Sequence, residues 1–384
     1  MRRGVSMAVG LAGLLAAPVA SELRIKRPAQ PLTDAWQHIA VEPRGSTRLR
    51  ISYRSPQVHA FGLDPRSTLS ALLERPFDLV RLGAYWSRIE PRRGAFEPGE
   101  LDWQIEAAER AGKQVILCVG ALKTFGYPEF FAPQHVVSSL PEGQRIRAAD
   151  YASLLAAATE FIARIVERYR SYAHVVAWQV EHESVDPLGM EHSWRLDTSF
   201  VEAEVLAVRS ADPARPVLMN GYLPVSLAVR LTQWFQTRDQ GDSVTVAQQL
   251  ADIVGIDFYP CHALLSLGRR SVYLDGQRSP WQLQRLDQVL GWARRHGRRV
   301  MVSEGQAEPW EAVTVPPNPD FGAPFSCPPE RVIENYNACL RRARLWQFVL
   351  DAYLFWGAEY WMVRQRARDS SYLQALGRIL EQVR

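Results

Sequence analysis

The chain has 384 residues, of which 47% are hydrophobic, enough to bury the core of one large domain or two small ones. Its formal net charge is only +4, drawn from 45 basic and 41 acidic residues. A nucleic-acid-binding domain usually concentrates its basic charge, so this balance argues against a nucleic-acid partner. The 12 tryptophans suit sugar binding, and equally a packed core.

The first residues have the pattern of an export signal. A basic dipeptide at residues 2–3 precedes an uncharged, largely apolar stretch to residue 20, which is short for a membrane span. We expect export to the periplasm or the cell exterior, with a membrane anchor if the signal stays uncleaved. A mispredicted start codon is the alternative. Residues 21–45 are expected to form a poorly structured lead-in, and residues 46–384 a single domain.

After residue 45, eight short apolar runs alternate with longer segments. Each run is rich in Val, Ile or aromatic residues, as strands buried on both faces are. The predicted strands are Leu49–Tyr53, Leu79–Leu82, Gln114–Val119, Val175–Val180, Val217–Met219, Ile253–Phe258, Val300–Val302 and Tyr353–Trp356.

The segments between these runs have helical periodicity. One example is the set Leu154, Ala158, Phe161, Ile165 and Tyr169, whose spacing of three and four residues makes one apolar stripe on a helix. Strand–helix alternation implies a parallel sheet. Eight successive units favour a closed (β/α)8 TIM barrel of the α/β class, with an open doubly wound sheet as the alternative.

Two glutamates follow predicted strands. Glu183 ends the segment WQVEHE after the fourth strand, and Glu304 opens EGQAEPW after the seventh. The carboxyl ends of barrel strands face a common site, so both side chains are expected at the barrel mouth. Glycosidic cleavage needs two carboxyl groups: one protonates the leaving oxygen, and the other attacks the anomeric carbon or activates water.

With the segments LVRL, GIDFYP and FWG, these motifs resemble the clan A retaining glycoside hydrolases, the barrel group that includes cellulases, mannanases and β-galactosidases. The resemblance covers the whole predicted barrel. It implies that Glu183 is the acid/base and Glu304 the nucleophile. It also implies that Arg81 on the second strand supports the nucleophile, that Tyr259 on the sixth lies beside it, and that Trp356 on the eighth lies under the cleaved sugar.

One residue departs from the clan pattern. Most members have Asn before the acid/base, where it holds the 2-hydroxyl of the substrate, whereas this chain has His182. An imidazole can also donate a hydrogen bond, and the mannanases of family 26 have His there. The change leans slightly toward sugars other than glucose. Further substrate contacts are predicted at Asn220, with a turn cap as its alternative role, and by stacking at Trp310 and Trp361.

Two other glutamates compete with the favoured pair. Side chains alternate along a strand, so Glu181 and Glu183 are expected on one face, and Glu183 is preferred because it follows the strand. Glu308 is expected in the loop after the nucleophile, in contact with substrate or with neighbours of the catalytic residues. A structural role, as carboxylates bound to arginines, is the alternative for Glu183 and Glu304.

The sequence therefore predicts a retaining glycosidase that hydrolyses O-glycosidic bonds of a β-linked oligosaccharide or polysaccharide, or of a simpler glycoside. No cofactor is expected. Metal-ligand residue types cluster over residues 182–192 but lack the His-Glu-x-x-His order, so no metal is predicted. The alternative function is a non-catalytic carbohydrate-binding barrel. A Cys261–Cys327 disulfide is possible if the protein is exported.

Overall fold

This computed structural model describes residues 23–25, 32–126, 129–186, 194–237, 240–267, 270–276, 280–310 and 326–382. The predicted export signal at residues 1–20 lies outside this part of the chain, so export stays a prediction. Among the described residues, no helix combines the length and the apolar character that a membrane crossing requires.

The described strands pair into one barrel and two small sheets. In chain order they are β1 Leu23–Ile25, β2 Arg48–Ser52, β3 Leu79–Gly83, β4 Gln114–Cys118, β5 Arg145–Ile146, β6 Val175–Gln179, β7 Arg195–Leu196, β8 Val217–Tyr222, β9 Ile253–Phe258, β10 Cys261–Leu267, β11 Arg270–Asp275, β12 Arg299–Gln306 and β13 Ala352–Trp356. Strands β2, β3, β4, β6, β8, β9, β12 and β13 form a closed barrel. All eight predicted strands lie in it, so the predicted (β/α)8 fold is confirmed and the open-sheet alternative is excluded.

All pairings around the barrel are parallel, and β13 pairs with β2 to close it. An apolar cluster takes residues from seven of the eight strands: Leu79, Ile116, Ala177, Leu218, Ile253, Met301, Ala352 and Leu354. Since side chains alternate along each strand, this cluster fills the barrel interior, and the intervening residues pack against the helices.

The helices surround the barrel and connect its strands. They are α1 Ser55–Ala60, α2 Pro65–Leu73, α3 Trp86–Ile89, α4 Gly99–Arg110, α5 Gln134–Val137, α6 Ala152–Tyr169, α7 Thr198–Ala211, α8 Leu227–Thr237, α9 Ser243–Leu250, α10 Pro280–His296, α11 Pro329–Leu345, α12 Ala358–Arg366 and α13 Ser371–Leu380. The predicted stripe from Leu154 to Tyr169 is the buried face of α6. Its apolar side chains therefore cover the outside of the barrel.

Residues 32–45 are ordered, although a poorly structured lead-in was expected there. They contain a 3-10 helix at Ala35–His38, whose Trp36 is buried. Glu42 forms ion pairs with Arg341 and Arg344 of α11 at 2.7 and 2.5 Å. The lead-in is therefore held by the buried Trp36 and by the two ion pairs of Glu42. These isolated residues form no periodic pattern that would predict an ordered segment.

Strand β12 contains a β-bulge at the barrel mouth. Its register against β9 shifts between Val302 and Glu304, so Ser303 is the extra residue. A bulge re-aims side chains, and here two consecutive ones reach buried partners inside the barrel. Ser303 Oγ donates to Asp257, and Glu304 accepts from Arg81. The bulge thus brings two polar groups to the mouth where a regular strand would bring one.

Candidate active site

Glu304 is surrounded by hydrogen-bond donors from three other strand ends. Arg81 Nη2 donates to its Oε1 at 2.5 Å, and Tyr259 Oη donates to its Oε2 at 2.6 Å. His182 Nε2 lies 2.8 Å from the same Oε1. The glutamate is only 2% exposed. The structure thus brings together four of the residues singled out in the sequence, although their catalytic roles stay predictions.

This environment keeps Glu304 ionised. Burial by itself raises the pKa of a carboxyl, but the charges of His182 and Arg81 and the hydrogen bonds from His182 and Tyr259 lower the pKa of Glu304 to about 2. Burial also lowers the pKa of His182, while the charge and the hydrogen bond of Glu304 oppose that shift. Arg81 therefore supplies the permanent positive charge. Since an ionised carboxylate only accepts, His182 carries its proton on Nε2.

Glu183 follows β6 in a backbone conformation that is uncommon for residues with a side chain. Its φ is 43°, and φ of Glu181 is 52°. The Nζ of buried Lys123 anchors this turn by donating to the main-chain oxygens of Glu183 at 2.6 Å and Asp186 at 2.9 Å. Left-handed residues at a strand end are a strained feature that often accompanies a functional site.

Acidic groups surround the Glu183 carboxyl. Burial, followed by the negative charges of Asp257, Glu129, Asp186 and Glu304, raises its pKa well above the usual value. Burial and the charge of Glu304 likewise raise the pKa of Asp257, one of whose oxygens lies within 4.8 Å of a Glu183 carboxyl oxygen. Glu183 therefore holds a proton over a wider pH range than an ordinary carboxyl, in contrast to Glu304.

The expectation that Glu181 shares a face with Glu183 is wrong. The strand ends at Gln179, and the left-handed turn at Glu181 breaks the alternation. The Glu181 carboxylate instead accepts from the main-chain N–H groups of Leu122 at 3.0 Å and Lys123 at 2.5 Å. The negative charge of Glu181 raises the pKa of buried Glu204, after burial itself. Glu181 thus ties the loop after β4 to the barrel, away from the Glu183 carboxyl.

Asn220, a predicted substrate contact or turn cap, lies at the end of β8 within a chain of side-chain hydrogen bonds. Its Nδ2 donates to Asp257 Oδ2 at 2.6 Å, and its Oδ1 accepts from Gln179 Nε2 at 2.9 Å. The main-chain N–H of Glu183 also approaches Oδ1 at 3.4 Å. Asn220 thus links the ends of β6 and β9. Substrate contact by this residue stays a prediction.

A buried arginine under Trp356 was missed in the sequence. Arg54 donates to both oxygens of Glu308 at 2.7 and 2.8 Å and to Glu359 Oε2 at 2.9 Å. Its guanidinium lies 4.2 Å from the Trp356 ring centroid. Glu308 is therefore buried against Arg54, and these charges fix the floor beneath the ring. Arg54 follows the first barrel strand, and that position was the available signal.

Two tryptophans predicted to stack on sugar have different surroundings. Trp310 is partly exposed, its Nε1 donates to Cys261 O at 2.5 Å, and its ring lies 5.4 Å from Tyr259. Trp361 is fully buried and donates to Ala307 O at 2.8 Å, so the stacking prediction for it is wrong. Because α12 begins at Ala358, Trp361 lies on its inner face rather than in a loop.

The Trp356 ring lies at the centre of the mouth. It is parallel to the His182 ring within 12°, at 6.5 Å between centroids, and meets Phe125 edge-on. It is 9% exposed. The Trp356 ring and the His182 donor to Glu304 therefore lie side by side at the mouth, and the contact of Trp356 with sugar stays a prediction.

The Cys261–Cys327 disulfide considered from sequence is not formed. All four cysteines lie in the described part of the chain, each is buried, and none is in a disulfide. Cys327 Sγ instead lies 3.6 Å from the main-chain oxygen of Gln306. The barrel closes without a covalent cross-link among these residues.

One set of metal-ligand residue types comes together in the described chain. Donor atoms of His182, Glu183 and Asp257 lie within 4.8 Å of one another. His182 Nε2 already contacts Glu304, and Asp257 already accepts from Ser303 and Asn220, whereas His182 Nδ1 has no hydrogen-bond partner in the described part of the chain. We assign no metal to them, and the cluster predicted over residues 182–192 lies partly outside the described residues.

Comparison with known proteins supports the glycoside hydrolase class. A family model described as β-galactosidase, of glycoside hydrolase family 42, matches residues 67–200, roughly a third of the chain. The β-galactosidase BgaH of Haloferax lucentense is 26% identical over 125 residues, covering 30% of this chain and 18% of that protein. The chain thus matches less than a fifth of the length of that curated relative.

Solved structures show the same fold at low identity. Xylanase 10B from Thermotoga maritima is 14% identical with a TM-score of 0.53, covering 89% of this chain and 98% of that one. A family 10 endoxylanase from a sugarcane soil metagenome gives 14% and 0.54, covering 87% and 97%. A family 5 glycoside hydrolase from Streptomyces cattleya, solved with Manβ1-4GlcNAc, gives 15% and 0.53, covering 81% and 70%. The predicted resemblance to clan A barrels is confirmed.

Proposed function

We propose that this chain is a retaining glycoside hydrolase that cleaves β-linked glycans or glycosides. The observation that supports the proposal is that two buried carboxyls at one barrel mouth have pKa values shifted in opposite directions. Arg81 and the other hydrogen-bond donors to Glu304 lower the pKa of Glu304. Burial and neighbouring acids raise the pKa of Glu183. Pairs of carboxyls with divergent pKa values are how one site supplies both an anion and an acid.

The first step uses both carboxyls. Ionised Glu304 attacks the anomeric carbon, while Glu183 gives its proton to the oxygen of the departing group. Tyr259 donates to Glu304 Oε2 and Arg81 to Oε1, so the two oxygens have different partners. These donors orient the carboxylate before substrate arrives, which removes part of the entropic cost of attack.

In the second step the roles of Glu183 reverse. Having lost its proton, it takes one from water, and that water displaces Glu304 from the anomeric carbon. Two displacements at one carbon restore its original configuration. The proton count closes, because the proton given to the leaving group in the first step is regained from water in the second.

The proposed substrate class is based on the descriptions of similar proteins and not on the geometry of the site. The matching family model and the curated relative are both described as β-galactosidase, whereas the structural neighbours include xylanases. We therefore propose β-galactosides as the first substrates to try, followed by β-xylosides and β-mannosides. Trp356 and Trp310 are the aromatic surfaces proposed to stack on the sugar.

The test is hydrolysis of a panel of aryl β-glycosides and polysaccharides, with proton NMR of the first product formed. We expect release of sugar in the β configuration by the wild-type chain. Product of the α configuration would refute the retaining mechanism. Saturable sugar binding without turnover on every substrate would favour the non-catalytic carbohydrate-binding alternative.

Export is proposed separately, from the pattern over residues 1–20. We expect the full-length chain expressed in a bacterium to appear outside the cytoplasm, or on the outer side of its inner membrane. A matched chain beginning at residue 21 serves as the control. Retention of both forms in the cytoplasm would contradict export.

A further inference from the structure

Asp257 is a third carboxyl at the barrel mouth, and the mechanism above leaves it without a role. It lies on β9, is fully buried, and accepts hydrogen bonds at both oxygens. Ser303 Oγ donates to Oδ1 at 2.7 Å, and Asn220 Nδ2 donates to Oδ2 at 2.6 Å. One of its oxygens lies within 4.8 Å of a carboxyl oxygen of Glu183.

We propose that Asp257 is a positioning residue that holds Glu183 as the protonated, hydrogen-donating member of a carboxyl pair. The inference rests on the proposed role of Glu183 as acid/base. Asp257 touches no reacting atom in this scheme. It acts through Glu183 by accepting a hydrogen bond from the protonated carboxyl, which orients that carboxyl.

The hydrogen bonds decide which carboxyl carries the proton. An amide nitrogen can only donate, so Asn220 requires an acceptor at Asp257 Oδ2. Ser303 donates to the other oxygen. Two donors stabilise an anion, and a hydrogen bond to the charged form favours that form. Burial and Glu304 raise the pKa of Asp257 as well, but within the pair these two donors favour the anion on Asp257 and the proton on Glu183.

Asn220 also sets the geometry of the pair. Its Oδ1 lies 3.4 Å from the main-chain nitrogen of Glu183, while its Nδ2 holds Asp257. One amide thus positions the main chain of the acid and the side chain of its acceptor. The bulge that inserts Ser303 next to Glu304 supplies the second donor, so the nucleophile strand supports the acid as well.

Other ionisable groups also face Glu183. They are Glu129 from the loop after β4, Asp186 from its own loop, Glu304 from β12, Tyr222 from β8 and Tyr259 after β9. Lys123 is close but donates to main-chain oxygens. Among the acids, Asp257 raises the pKa of Glu183 the most, after burial itself. Removing the charge of Asp257 is therefore expected to lower the pKa of Glu183 more than removing the charge of any other of these acids.

The arrangement conserves charge during the proposed reaction. Before attack, Glu304 carries one negative charge and the Glu183–Asp257 pair carries one. After attack, Glu304 is a neutral ester, and the pair carries two because the proton has left with the departing group. The repulsion within the doubly charged pair makes Glu183 a stronger base toward water. Asp257 thereby keeps Glu183 protonated before the first step and makes it a stronger base in the second.

The first test is Asp257→Asn, with Asp212→Asn as the matched control. Asp212 is also a buried aspartate, but it binds Trp178 and Arg215 before β8 begins, outside the mouth. For Asp257→Asn we expect kcat/KM on alkyl glycosides to fall about 10- to 100-fold, within the range that general acid catalysis supplies. On dinitrophenyl glycosides, whose leaving group needs no proton, we expect a smaller fall of about 3-fold at most.

The pH profile separates positioning from a structural effect. Removing a nearby negative charge lowers the pKa of Glu183, so the alkaline limb of kcat/KM moves to lower pH in Asp257→Asn. The Asp212→Asn limb stays in place. An unmoved limb, or equal losses on both substrate types, would overturn the proposal.

Infrared spectroscopy tests the pair without turnover. The difference between the wild-type chain and Glu183→Gln at pH 7 is expected to contain the carbonyl band of one protonated carboxyl. The Glu181–Glu204 pair is present in both chains and cancels. In the Asp257→Asn chain, that band disappears at lower pH than in wild type. If Glu183→Gln removes no such band, the proposal fails even if Asp257→Asn does not fold.

The two hypotheses fail differently. A wild-type chain that hydrolyses nothing, yet has the infrared band and its dependence on Asp257, would refute the proposed function and leave the carboxyl pair standing. An active chain without the band would do the reverse.

Discussion

Glu304 and Glu183 are the same residue type, and both are almost fully buried where barrel strands end. Their ionisation nevertheless diverges: the pKa of Glu304 falls to about 2, and that of Glu183 rises well above the usual value. Burial raises both. The difference comes from their partners, since Arg81 faces one and Asp257 faces the other. The sign of the neighbouring charge, rather than depth, assigns the two roles.

A second comparison limits this conclusion. Glu181 and Glu204 form another buried carboxyl pair with raised pKa values, yet Glu181 binds the main-chain nitrogens of Leu122 and Lys123. That pair ties a loop to the barrel. A perturbed pKa therefore indicates a catalytic group only when the carboxyl also faces a cleft containing a suitable partner.

The largest expected effect is the loss of the nucleophile. Glu304→Gln is expected to lower kcat on every substrate by about 10⁴-fold or more, because no other group can form the covalent intermediate. Glu183→Gln is expected to lose a similar factor on alkyl glycosides but much less in the first step on dinitrophenyl glycosides. Burst kinetics with both substrate types measure this. If each variant lost the same factor in kcat on alkyl and on dinitrophenyl glycosides, the two glutamates would not have the different roles proposed here.

The next effect concerns the charge that keeps Glu304 ionised. In Arg81→Met, the pKa of Glu304 rises, so the acidic limb of kcat/KM moves to higher pH and kcat/KM at neutral pH falls about 100-fold. Arg54→Met is the matched control, because that arginine is equally buried but pairs with Glu308 and Glu359. It is expected to lower stability without moving the limb. A limb unmoved in Arg81→Met would refute the assignment of Arg81.

Stability is expected to respond in opposite directions at the two sites. The lowered pKa of Glu304 means that its ionised form stabilises the fold above about pH 4.5, and that this stabilisation is lost as pH falls toward 2. Glu304→Gln should therefore lower the free energy of unfolding at pH 7 by about 1–2 kcal/mol.

The raised pKa of Glu183 changes stability with pH in the opposite direction. Its favourable contribution is complete below about pH 4.5 and is lost as pH rises through the folded value. Glu183→Gln is therefore expected to melt at a higher temperature than wild type at pH 7 and above, with the difference vanishing below pH 4.5. Melting curves of both variants across pH are the measurement. Shifts of the same sign in both would contradict the opposing environments.

The smallest expected effect is that of metal removal. His182, Glu183 and Asp257 are tied into hydrogen bonds that the proposed reaction uses, so incubation with EDTA should change kcat/KM by less than about 2-fold. The acid/base scheme routes no step through an ion. Loss of activity with EDTA, restored by a divalent cation, would replace this scheme with a metal-assisted one.

Much of the fold could be predicted from local sequence. The eight strands are short runs of Val, Ile and aromatic residues, and each is buried in the barrel. The stripe on α6 was equally visible. The meeting of Arg81, Tyr259 and Glu304 also follows from sequence, because the carboxyl ends of parallel barrel strands share one edge.

Other features depend on distant partners. Trp361 was expected to lie in a loop and stack on sugar, but it packs on the inner face of α12. Arg54 pairs with Glu359, 305 residues away, and neither residue lies in a pattern that reveals the other. Glu181 does not share a face with Glu183 because left-handed residues at positions 181 and 183 interrupt the strand alternation, and the sequence does not reveal the backbone φ of a glutamate.

The barrel and the positions of two carboxyls at its mouth can be predicted from the sequence alone, since hydrophobic period and strand order are local properties. The ionisation state of each carboxyl follows from the folded chain. Ionisation depends on charges within a few ångströms, and those come from β3 and β9, far from β6 and β12 along the chain. Arg81 thus makes Glu304 an anion, and Asp257 keeps Glu183 an acid.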